Sequence, residues 1–284
     1  MDTTGLLLAF GLLVGFGVYP VIVKRLSMRY GSLTTSFYSH LIVTLAVAAI
    51  FLPRVWPFFP DHGSLLITLF LGLLGAAIIC LMFNIYKESD ISVSMPLIYL
   101  HPVLTVSLAL VIFNEPLSLI QKIAAITAAI GALILITDFR NLSSGIRSLD
   151  SRLLIKIIIL IVMFSANALI AKVLVTRIGG GATALYLQSA TFIFVFLFSA
   201  RKLVIPLEKD FKHFIASGAF ISLAICCLFL AIEKIGIALT SAFNGSSALI
   251  GVLLGMIFFK ERVKPRQWIG IIVVVLGLIA LAVG

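Results

Sequence analysis

HPVLTVSLALVIFNEPLSLIQKIAAITAAIGALILI, residues 101–136, and SSALIGVLLGMIFFKERVKPRQWIGIIVVVLGLIALA, residues 246–282, are two versions of one pattern. Each holds an apolar run, a short polar break carrying a glutamate, and a second apolar run punctuated by glycine. The runs approach the twenty or so residues that cross a hydrocarbon core of roughly 30 Å. At an offset of 146 residues Glu115 falls on Glu261, Gln121 on Gln267 and Gly131 on Gly277. Further upstream the same offset sets Gly72 on Gly218, Cys80 on Cys226 and Phe83 on Phe229. Near the start of each half the offset is 148, and Phe16 meets Phe164, Lys24 meets Lys172, Gly31 meets Gly179 and Tyr38 meets Tyr186. Apolar residues coincide by chance; polar and glycine matches at constant spacing do not. The chain is a duplication.

The polar, mixed-charge stretch DFRNLSSGIRSLDS (138–151) divides a first repeat, 1–137, from a second, 152–284. Hydropathy and proline or glycine punctuation predict spans near 4–24, 34–52, 64–86, 92–112, 119–137, 153–175, 182–200, 211–232, 237–258 and 266–283. The expected fold class is therefore an all-α integral membrane protein with ten transmembrane helices arranged as two five-helix repeats. Five is odd, so the second repeat must be inverted relative to the first. Inverted repeats of this kind are characteristic of secondary transporters, with substrate held near the midplane at the repeat interface.

Composition agrees. The 284 residues are 62% hydrophobic and 11% charged, against about 25% charged in soluble chains, and no segment remains for a soluble domain. The net charge of +10 would suit nucleic acid if it were clustered, but the loops are too short to build such a surface. Of the 21 Lys and Arg, 16 belong to the breaks after odd-numbered spans and 5 to those after even-numbered ones. The positive-inside rule then puts the odd loops and the 138–151 linker in the cytoplasm and both termini outside. Cys80, Cys226 and Cys227 lie in apolar segments without metal-ligand spacing, so neither a zinc site nor a disulfide is expected. Met1-Asp2-Thr3-Thr4 lacks the basic lead of a cleavable signal, which makes the first apolar run a retained helix.

The two halves resemble the EamA repeat of the drug/metabolite transporter superfamily. The resemblance rests on the end of each half, where a fourth helix, a glutamate-bearing loop and a glycine-bearing fifth helix follow one another. Lys24 and Lys172, closing the first helix of each half, also fit. The Trp-Gly usual near the first helix is replaced by Gly15-Phe16-Gly17 and by Phe164-Ser165. The resemblance implies a multi-pass protein of the plasma (inner) membrane that exports or exchanges a small polar metabolite such as an amino acid. Its alternative is a flippase for a lipid precursor or other amphipathic substrate, an activity also found in the superfamily.

Residues three or four apart share a helix face, so a binding surface can be sought. On the fourth helix Ser94, His101 and Thr105 form a polar stripe with Ile98 between them. The offset carries this stripe to Thr240, Ser247, Gly251 and Asn244 on the ninth helix. Polar groups facing lipid are costly, so both stripes should face a wet interior. A structural role for His101 competes with this, because Pro102 has no N–H for the Ile98 carbonyl and a neighbouring carbonyl could take the imidazole. Tyr19 pairs with Asn167, Tyr38 with Tyr186 and His40 with Gln188 across the repeats, and these sets are expected to line the two mouths of one pathway. Interfacial anchoring is the rival account for Tyr38 and Tyr186. Asn84 is a weaker candidate. Gly11/Gly15 and Gly251/Gly255 have the spacing of close helix contact. Lys24 and Lys172 are expected to snorkel to the interface, and Glu115 and Glu261 to cap helices or pair with nearby bases.

Every Asp and Glu lies at a span end or in a loop. No mid-membrane carboxylate is available for substrate and proton to share, which argues against efflux of hydrophobic cations and leaves downhill exchange or coupling through His101. No metal cluster, nucleophile triad or paired aspartate occurs within the spans, so no catalytic residue, metal or cofactor is assigned. The expected partners are a small-molecule substrate and the lipid bilayer, with no nucleic acid, and the expected state is a monomer or weak homodimer.

Overall fold

The computed structural model describes residues 3–56, 60–113, 118–136, 151–200, 202–261 and 265–283. The linker expected at 138–151 lies outside the described residues apart from Ser151, and Glu115 lies outside them too. Among the described residues every regular element is a helix: α1 (Thr3–Tyr30), α2 (Ser32–Val55), α3 (His62–Glu88), α4 (Ile91–Ile98), α5 (His101–Phe113), α6 (Leu119–Ile136), α7 (Ser151–Ile178), α8 (Gly180–Ser199), α9 (Glu208–Phe259) and α10 (Pro265–Val283). Seven stretches of these are long and apolar enough to cross a bilayer, while Phe243–Phe259 and Trp268–Gly277 are shorter apolar helices.

Two elements depart from the expected one-helix-per-span pattern, each for a local reason. The span expected at 92–112 is broken into α4 and α5 at Tyr99 and Leu100. Pro102 lacks the N–H that an unbroken helix needs there, but it is tolerated in the first turn of a new one. The spans expected at 211–232 and 237–258 fall in one continuous element, α9, whose helical geometry fails only at Gly236 (φ 77, ψ 170). Gly31 (φ 81, ψ 161) and Gly179 (φ 80, ψ 161) adopt nearly the same conformation between α1 and α2 and between α7 and α8. Positive φ is cheap only for glycine, so these three residues are the turns. Gly15 abuts Phe220 and Ala224 while Gly17 abuts Ser247 and Ile250. Residues at similar distances on either side of Gly236 thus meet the same part of α1, and the arms 208–235 and 237–259 run antiparallel.

The packing exchanges the repeats. α1 packs on α9 and α3 on α7, so the first helix of each repeat lies against the third of the other; α2 packs on α8 and α6 on α10. That is the arrangement a pseudo-two-fold axis requires. The polar ends follow it. Arg29 pairs with Asp210 at 2.7 Å, and its offset partner Arg177 lies beside Asp61, the N-cap of α3. The Ser64 hydroxyl and backbone N–H donate to the Asp61 carboxylate and hold it below its usual range, with Arg177 adding to the effect. Outward faces are apolar at helical spacing, as with Leu119, Ile120, Ile123 and Ile126 on α6 and Ile269, Ile272, Leu276 and Ile279 on α10. Such faces are stable against hydrocarbon chains.

At Gly15 the α1–α9 contact leaves no room for a side chain. A Cβ there would lie 2.5 Å from the Phe220 carbonyl oxygen and 2.7 Å from the Ala224 Cβ. Gly15→Val is expected to destabilise the protein by ~1–3 kcal/mol, because backbone rather than a flexible tip must yield. A thermal melt of the detergent-solubilised protein checks this, and an unchanged midpoint would contradict the contact.

Candidate functional site

A central cavity of about 170 Å³ lies between the repeats. Its wall is built from offset pairs: Phe16 with Phe164, Tyr19 with Asn167, His40 with Gln188, and Ile98 with Asn244. A cavity walled by both members of each pair straddles the pseudo-two-fold axis.

Six of the twelve residues selected from the sequence line this cavity: Tyr19, His40, His101, Asn167, Gln188 and Asn244. Tyr19, His40, Asn167 and Gln188, expected at two mouths, share this one chamber. Ser94, Thr105, Thr240, Ser247, Tyr38 and Tyr186 do not border it. Ser94 donates to the Asp90 carbonyl (2.8 Å), Thr105 to the His101 carbonyl (2.8 Å) and Thr240 to the Gly236 carbonyl (2.6 Å). Each hydroxyl thus bonds one turn back along its own helix. Ser247 is buried beside Gly17, and Tyr38 packs its ring on Phe37 and Phe214.

The face that meets the cavity is rotated slightly from the expected polar stripe. On the second arm of α9 the cavity is met by Ile237, Ser241 and Asn244, spaced four and three apart. The stripe Thr240–Asn244–Ser247 shares only Asn244 with that face. On the broken fourth span, Ile98, Tyr99 and His101 meet the cavity. Tyr86, Tyr99, Thr191 and Ser241 were missed. On α3 the cavity face runs through Gly75, Ile79, Met82 and Tyr86, while the repeat-matched Phe83 does not border it.

The polar groups in the wall fall into two sets. In the first, side chains are tethered: Asn167 donates to the Leu71 carbonyl (3.4 Å), Gln188 to the Thr44 hydroxyl (3.4 Å) and Tyr99 to the Phe16 carbonyl (3.2 Å). His40 Nδ1 sits 3.0 Å from the Ser36 carbonyl. In the second set, the Tyr19 hydroxyl, the Tyr86 hydroxyl, His101 Nδ1 and Asn244 Oδ1 are buried and have no hydrogen-bond partner among the described residues. His101 Nδ1 is therefore not tied to a carbonyl. Its imidazole stacks on Phe164 (4.7 Å between centroids, 17° between planes), while its backbone carbonyl accepts from the Ser165 hydroxyl at 3.0 Å. Unmet polar atoms in a buried site are costly, and four of them belong to the wall of this one cavity.

One turn beyond Pro20 on α1, Lys24 is buried rather than snorkelling. Its Nζ lies 2.8 Å from Glu261, 3.8 Å from Asp90 and 4.8 Å from the centre of the Phe259 ring. The Glu261 carboxylate also accepts from the N–H groups of Ile91 (3.0 Å) and Ser92 (2.8 Å), so it caps α4 while binding a base from the other repeat. Burial raises the Glu261 pKa, but the bonds from Lys24, Ser92 and Ile91 outweigh it and hold the carboxyl below its usual range. Among the described residues no group of three metal-ligating side chains occurs.

The family model for EamA-like transporters matches residues 3–137 and 152–283, one copy on each repeat. No curated protein matches the chain. A solved crystal structure is similar in fold at 14% sequence identity, with a TM-score of 0.74 over 99% of this chain and 98% of the other.

Proposed function

Since the chain belongs to the EamA-like transporter family, we propose that it is a ten-span secondary transporter, an exporter or exchanger, working by alternating access through the central cavity. The cargo is a small polar metabolite. Both termini face the outside of a plasma (inner) membrane, and the odd loops face the cytoplasm. The observation that carries this reading is the wall of offset pairs. A site on the axis that relates two inverted repeats can be opened to either side by exchanging the conformations of the repeats, with no rebuilding of the site. The offset pairs differ in chemistry, Tyr19 against Asn167 and His40 against Gln188, so the two states present one ligand with the same set of groups from mirrored positions.

Accessibility tests this without knowing the cargo. Ser241, in the cavity wall, is replaced by cysteine in a chain whose Cys80, Cys226 and Cys227 are alanine. A membrane-impermeant maleimide is then applied to right-side-out and inside-out vesicles. Labelling from both sides is expected; labelling from one side only would refute alternating access.

A further inference from the structure

We propose that the cavity takes an uncharged solute built on a ring, with hydrogen-bond donors and acceptors on its rim. This rests on the transporter reading and narrows its cargo. Three observations carry it.

The first is charge. Among the described residues no Asp, Glu, Lys or Arg lines the cavity, and Lys24, one turn beyond it, is already paired with Glu261. A broken helix could supply a positive end to a carboxylate, but here most of the N–H groups around the break are taken. Pro102 has no N–H, and the N–H groups of Val103 and Leu104 both donate to the Leu100 carbonyl. On the other side of the break, Tyr99 and Leu100 N–H occupy the carbonyls of Met95 and Leu97. An ammonium or carboxylate entering this chamber would lose its water and find no counter-charge, and a zwitterionic amino acid would do so twice.

The second is the aromatic wall. Phe16, Phe164, Tyr86, Tyr99 and Phe229 border the cavity, and His101 lies flat on Phe164. Ring faces and edges held within one chamber favour a flat partner, through offset stacking and edge-to-face contacts.

The third is the unmet polar set. Tyr19, Tyr86 and His101 are each more than nine-tenths buried, and with Asn244 they give the cavity wall four buried polar atoms that have no hydrogen-bond partner among the described residues. Asn244 Oδ1 accepts, so a solute that pairs with it brings an N–H or O–H; the two phenols can donate or accept, and so suit a rim that carries both kinds of group. An uncharged heterocycle or ring carboxamide satisfies all three demands.

The test is a binding series on the purified full-length protein in nanodiscs, read by calorimetry. Nicotinamide is the neutral ring probe. Nicotinate and 3-(aminomethyl)pyridine carry the same ring with a negative and a positive charge, and propionamide keeps the carboxamide without the ring. Nicotinamide is expected to bind at least ~10-fold more tightly than the other three. Tyr86→Phe and Asn244→Leu are each expected to weaken it by about five-fold or more, Tyr86→Phe keeping the shape of the wall. Equal or tighter binding of either charged probe, equal binding of propionamide, or no binding by any probe overturns the proposal. The cysteine-labelling result at position 241 is independent of these outcomes. One-sided labelling with the expected series sinks transport and leaves the ligand class standing; two-sided labelling with a failed series does the reverse.

Discussion

Glu261→Ala is expected to destabilise the protein by ~3 kcal/mol, because it leaves a buried ammonium with only the exposed Asp90 carboxylate, 3.8 Å away. Lys24 and Glu261 expose 8% and 4% of their side chains, and no water shell waits to replace the lost partner. The substitution also uncaps α4, whose Ile91 and Ser92 N–H groups lose their acceptor. The double variant Lys24→Met/Glu261→Gln separates the two effects. It removes both charges while leaving an amide oxygen for the cap, and it should recover most of the loss. Thermal melts of the singles and the double decide this, and a double variant as unstable as Glu261→Ala would show that the charge is not the cause. The pH dependence has a definite sign. A carboxyl whose folded-state pKa is below its ordinary value of 4.5 contributes stability that is complete above about that pH. The contribution is lost as the pH falls through the folded value. Acid should therefore lower the melting point of the native chain more than that of the double variant.

His101→Ala is expected to reduce transport by ~5- to 150-fold, the range that corresponds to losing about 1–3 kcal/mol of polar contact in a buried site. The readout is counterflow, in proteoliposomes, of whichever probe binds. The broken fourth span should survive the change, because Ser165 and Thr105 bond the backbone carbonyl of His101 and Pro102 remains in place. Loss of the stack on Phe164 should cost about 0.5–1.5 kcal/mol of stability, small enough for the variant to be purified and compared. Wild-type counterflow rates in His101→Ala would remove the imidazole from the site. The same vesicles test coupling: uptake that ignores an imposed pH gradient excludes proton coupling through His101 and leaves exchange.

How much of this could be read from the residues alone divides along a physical line. The duplication was legible because it is written in glycines and polar residues at constant spacing. Gly31 and Gly179 then proved to be the same positive-φ turn in both repeats, and Gly236 a third copy in the second. Membrane insertion was legible because hydrocarbon imposes one composition on every span. The cavity wall was half legible. His101 and Asn244 sit at the edge shared by the polar stripe and the cavity face, so either reading captures them, whereas Ser94, Thr105 and Thr240 satisfy their hydroxyls on their own helices. A single turn of helix offers a serine or threonine the same carbonyl wherever it points, so polarity alone does not locate the interior face.

By itself the sequence determined a membrane-embedded pair of repeats, since hydropathy and offset matches are properties of the string. Only the tertiary structure decided which faces close around the cavity, and that Lys24 meets a glutamate 237 positions away. Both depend on the rotation of each helix about its axis, which is set by packing against the other repeat. Periodicity within one helix marks a face but does not say what that face will meet.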